Sequence, residues 1–217
     1  MAINLNKYSF EQWVAFVFDH AVSQSGEKKW YWQDEWEHEA DHSLMLEHLI
    51  LLFRNPTFLL DTYSPEQLEQ GFWFIHKPMG LFEEALRDTD LKWQLRKECI
   101  LSMAGLFERL FAVNPLKDSA CYMWWDLLIS GYFGPWHTWD PLMVDDKDLQ
   151  AQQAIFETLC RILKLESREC QKAALHGLGH LNHRLTEQTI EAFLNENPGL
   201  DEELKQYAIK SIKGEIQ

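Results

Sequence analysis

Cys170–Arg184 reads CQKAALHGLGHLNHR, three histidines at helical spacing with two glycines between them. His176 and His180 stand four apart, the spacing at which two imidazoles on one helical face can share a zinc or iron ion. His183 is harder to recruit, because seven residues of helix put it about 10 Å from His176 along the axis. A closed metal site needs a ligand from another element, and Asp126, Asp140 and His137 are the candidates. No H-E-x-x-H accompanies the pair. The competing reading makes the three rings hydrogen-bonded groups or the lining of a polar groove. That reading is adopted: no metal, no cofactor and no catalytic residue is expected.

Other chemistry-bearing patterns are sparse. Glu35-x-x-His38 overlaps Glu39-x-x-His42, the ligand spacing of di-iron carboxylate bundles, but those need a second copy on another helix and none occurs. There is no Gly-rich phosphate loop, no G-x-S-x-G turn and no zinc-binding cysteine pair. Met123-Trp124-Trp125-Asp126 sets adjacent indoles about 100° apart on a helix. Trp124 beside Asp126 could form a wall that holds a cationic side chain; the more ordinary arrangement buries both indoles. Trp136, His137, Trp139 and Asp140 sit between two prolines in Gly134–Pro141, a loop suited to recognition or to plugging a gap in the helix packing.

These residues must be held by helices. Apolar residues recur at three- and four-residue steps nearly everywhere, which predicts helices over about 9–24, 36–54, 65–76, 80–88, 90–112, 118–131, 147–164, 167–184, 186–196 and 201–214. Ala174, Leu178, Leu181 and Leu185 form the apolar stripe of the histidine-bearing helix. His176, His180 and His183 lie opposite, so they are expected to face away from the core. A small residue followed by an apolar one recurs at Gly71, Gly105, Gly177 and Ser211, at steps of 34, 72 and 34 residues.

The AALHGLGHLNHR segment and the helix pairs around it resemble HEAT or armadillo-like repeats over roughly residues 65–215. The resemblance implies an α-solenoid-like stack of antiparallel helix pairs, with the histidines along its concave groove. It names no activity. Within that class, a di-iron hydroxylase family is marked by repeated His-Glu pairs, and here His38-Glu39 is the only one. HEAT-like DNA glycosylases present a basic groove, which this composition lacks. The expected organisation is one all-α domain over 1–217, with irregular acidic helices in 1–64 and degenerate repeats in 65–217. An irregular helical bundle is the alternative.

Charge points to the partner. The 20 Lys and Arg face 34 Asp and Glu, a formal net charge of −14. Residues 1–75 alone hold 12 acidic and 4 basic side chains, and Asp34–Asp41 packs five carboxylates into eight positions. Such a chain does not suit a nucleic-acid backbone but does suit a protein with a basic surface. The four cysteines are scattered among apolar helical residues, no secretory signal opens the chain, and no apolar run is long enough to span a membrane. The sequence therefore reads as a cytoplasmic, non-enzymatic binding protein, of a scaffolding or toxin-neutralising kind. Its groove is expected to be edged by His176, His180, His183, Trp124, Asp126, Trp136, His137, Trp139 and Asp140. The alternative is a metal-dependent enzyme centred on His176 and His180.

Overall fold

The structure, a computed structural model, describes residues 3–23, 27–32, 38–77, 80–114, 116, 120–133 and 146–216. Among them the chain is all-α, with eleven α-helices: α1 Phe10–Phe18, α2 His42–Arg54, α3 Phe58–Thr62, α4 Pro65–His76, α5 Leu81–Arg87, α6 Trp93–Leu106, α7 Ala120–Phe133, α8 Asp146–Leu163, α9 Arg168–Leu181, α10 Thr186–Glu196 and α11 Glu202–Ile212. The final turn of α6 widens into a π-helical turn, Phe107–Phe111. A two-residue parallel pairing of β1 Ile3–Asn4 with β2 His38–Glu39 ties the N-terminus to the segment before α2.

Local chemistry explains where these helices begin. Ser9 and Ser64 each cap a helix through a reciprocal box, with Gln12 and Gln67 returning a side-chain oxygen to the cap N–H. Pro65 occupies the first turn of α4, where its missing N–H costs nothing. Asp41, Ser167 and Asp201 cap α2, α9 and α11. The N-terminal helices are shorter than the periodicity predicts. α1 stops at Phe18 and α2 starts only after the Asp41 cap, while Phe58–Thr62 adds a short helix that periodicity did not reveal.

One continuous apolar core runs from Leu5 to Ala208. α6 packs on α2 and α8; α9 packs on α7, α8 and α11; and α4 packs on α1 and α7. Aromatic rings form the centre: Phe53, Phe72, Phe82, Phe111 and His76 all meet Trp124 edge-on or tilted. No helix among the described residues is long and apolar enough to cross a membrane.

Candidate functional site

Two glycines set the position of α9. A Cβ at Gly177 would come within 2.7 Å of Trp125 Cβ on α7 and of Leu159 on α8; one at Gly179 would meet Ile216 at 2.5 Å and the Ser211 carbonyl at 3.1 Å. Glycine thus leaves room for Trp125, Leu159 and Ile216 to close directly on the α9 backbone. The consequence for the histidines is direct. His176 and His180, one turn apart on α9, are pressed against Asp126 of α7.

The three side chains offer ligand-type atoms that all lie within 4.8 Å of one another. The His180 and His176 Nε2 atoms are 3.1 Å apart, and His180 Nε2 is 3.6 Å from Asp126 Oδ1. Behind the cluster, His176 Nδ1 lies 2.6 Å from the Tyr207 hydroxyl of α11, which lies 2.6 Å from the Tyr122 hydroxyl of α7. Tyr122 and Asp126 are four apart on α7 and share its face. Lys172 lies over both phenol rings and reaches Glu203. Burial, with help from His180 and the Lys172 charge, holds His176 neutral down to about pH 3. Burial also lowers His180, against the opposing pull of the Asp126 carboxylate. Tyr207 is raised above its ordinary range by burial and by its bond to Tyr122.

The structure corrects where the sequence put the histidines. All three were expected opposite the core; their exposures are 1% for His176, 6% for His180 and 7% for His183. The reason is that α9 packs against four helices, α7, α8 and α11 extensively and α10 more lightly, so no full face is left to solvent. The helix also ends at Leu181, with Asn182 in the left-handed conformation at φ 48°. His183 therefore leaves the stripe and stacks on Phe156 at 4.0 Å, while Leu185 turns outward. His180 and His183 do reach the rim of a cavity of about 440 Å³ between the α9 end and the last turn of α11.

Trp124 does not edge a groove, and the more ordinary arrangement of the pair, with both indoles in the core, is the one found. Both adjacent indoles are fully buried, Trp124 with its N–H toward the Met103 sulfur and Trp125 stacked on Phe107, so neither forms a wall with Asp126. Asp126 itself stays partly exposed, at 27% of its side chain. Trp136, His137, Trp139 and Asp140 lie outside the described residues. Tyr207 and Tyr122 were not singled out from sequence. Tyr122 carried a faint signal in its four-residue spacing from Asp126; Tyr207 carried none.

A second feature lies on the N-terminal helices. Glu11, Asp19, Asp41, Glu47, Asp61 and Glu66 are all exposed. Among them Phe58 and Leu51 stand in solvent at 38% and 48%. Phe58 meets Phe10, and Phe10 meets the buried His48, whose pKa is lowered by burial against the opposing pull of the Glu47 and Glu11 carboxylates. Arg54, at the end of α2, is occupied by Glu98. No family model, curated protein or solved structure matches this chain.

Proposed function

We propose that this protein is a non-enzymatic binding module for a basic macromolecule, and that the partner is a protein. The observation that carries the reading is the set of exposed carboxylates and apolar side chains on α1, α2 and α3. There Glu11, Glu47 and Asp61 are carried on the same short helices as the apolar side chains Phe10, Leu51 and Phe58. Carboxylates draw a cationic surface in and orient it, while aromatic and aliphatic side chains supply the short-range fit. The net charge of −14 strengthens the long-range part. A scaffold and a neutraliser of a basic toxin or enzyme are both forms of this role.

The proposed architecture is a HEAT-like solenoid with degenerate repeats. Its support is that the periodic small residues all sit where helices nearly touch. Gly71 abuts Phe18 of α1, Gly105 abuts the Phe53 carbonyl of α2, Gly177 abuts Trp125 of α7, and the Ser211 carbonyl approaches Gly179 of α9. At Gly71, Gly105 and Gly177 the later helix leans on a residue 52 or 53 positions earlier, the kind of recurring contact a stacked repeat makes, while Ser211 meets Gly179 only 32 positions earlier.

The test is capture of partners from native lysate at low and high salt, followed by direct binding of the purified partner. Glu47→Lys with Asp61→Lys should abolish salt-sensitive binding, and Phe58→Ala should weaken it. Glu202→Lys, a reversal on α11, should leave most of it. A partner whose affinity ignores the first pair, or none weakened by salt, overturns the reading.

A further inference from the structure

The Asp126–His176–His180 cluster has the dimensions of a metal site, and it is separate from the acidic face. A zinc ion bound at about 2.0–2.1 Å by nitrogen and oxygen holds neighbouring tetrahedral ligands about 3.3 Å apart. The His176–His180 Nε2 separation of 3.1 Å and the His180–Asp126 separation of 3.6 Å bracket that value. We propose that Asp126, His176 and His180 bind one divalent first-row transition-metal ion, of the zinc or ferrous class, through one carboxylate oxygen and two Nε2 atoms.

Three features of the surroundings fit that role. The rings are shielded: His176 and His180 are buried, at 1% and 6% exposure, so bulk water competes little for their nitrogens. The orientation is fixed: when His176 donates its Nδ1–H to the Tyr207 oxygen, its Nε2 lone pair is left for the ion, and Tyr122 anchors Tyr207 in turn. The access is one-sided: Tyr122, Tyr207 and Lys172 cover the His176 side, while partly exposed Asp126 leaves a route in. Without an ion, the 3.1 Å contact between two Nε2 atoms needs a proton on one of them. Metal entry replaces that shared proton, and the donating ring moves its own to Nδ1, so no net proton is lost. Three protein ligands leave the ion a further position for water or a small anion.

Untagged protein stripped with a chelator, then titrated with zinc against a chromophoric competitor, decides the matter. One equivalent per chain is expected, and cobalt in its place should give the intense visible absorption of a tetrahedral N/O site. His176→Ala and His180→Ala should each weaken zinc about a hundredfold or more, and Tyr207→Phe about tenfold. His183→Ala, on a ring stacked against Phe156, should leave affinity unchanged. If the alanine variants lose their helical signal, Asp126→Asn, at a partly exposed side chain, carries the same test. Substoichiometric zinc in the wild-type chain, or full affinity in His180→Ala or Asp126→Asn, overturns the proposal. Partner capture by the acidic face is unaffected by either outcome.

Discussion

Gly177 faces the Cβ of Trp125 so closely that any side chain at that position would stand 2.7 Å from it. Trp125 is fully buried, and a Cβ moves only with its backbone, so α7 cannot give way cheaply. Gly177→Ala should therefore destabilise the protein by about 1–3 kcal/mol, although alanine has the better helix propensity by about 1 kcal/mol. Gly199→Ala is the contrast. Nothing lies within 4 Å of a Cβ there, so the same change should be neutral or slightly stabilising. Denaturant unfolding of the two variants measures both.

His76 gives a pH dependence with a definite sign. Its ring is buried against Trp124 and Phe82, its Nε2 has no hydrogen-bond partner among the described residues, and burial lowers its pKa from 6.5 to about 3. The unfolded chain therefore binds a proton between pH 6.5 and 3 that the folded chain refuses. Stability falls as pH falls through that window, and above it His76 contributes no slope. Between pH 7 and pH 5 the loss from this residue should be about 2 kcal/mol. In His76→Phe, which fills the same aromatic cage, the difference in unfolding free energy between those two pH values should shrink by that amount. An unchanged difference would mean that the ring is not sealed.

How far the fold could be read in advance depended on how many neighbours each helix has. α4, α10 and α11 begin within about a residue of where capping and periodicity put them, because caps and apolar steps are local. The histidine helix was located correctly, but its orientation was not. A single apolar stripe suggests a single neighbour, and α9 has four. The pairing of His176 with His180 is local and legible from four-residue spacing. The arrival of Asp126 and Tyr207 depends on α7 and α11 packing through Gly177 and Gly179; the recurrence of small residues singles out Gly177 but not the helix it meets, and Gly179 is outside that recurrence. The short helix Phe58–Thr62 escaped because five residues are too few to show a period.

The cysteines should separate by accessibility. Cys99, Cys121 and Cys170 are buried and Cys160 is half-buried; burial raises the Cys99 and Cys160 thiols, and Cys121 is raised by its contact with Cys170 as well as by burial. A thiol reagent should modify one group per native chain ahead of the others, and all four after denaturation. Cys160→Ser should remove the faster phase. A rapid second equivalent would show that α7 and α9 part readily enough to expose Cys121 and Cys170.

Tyr207→Phe isolates the hydroxyl that joins α11 to α9. The change keeps the ring, and with it the stack on His176 and the Lys172 contact, and removes only the oxygen between His176 Nδ1 and the Tyr122 hydroxyl. The lost oxygen takes two hydrogen bonds with it, in a partly buried place where water replaces them poorly. Destabilisation of about 1–3 kcal/mol is expected in metal-free protein. Tyr122→Phe removes the outer bond of the chain and leaves the His176–Tyr207 bond in place. In the double variant the two losses should not add, because both act on the one Tyr122–Tyr207 contact. Additive losses would mean that the two phenols act separately.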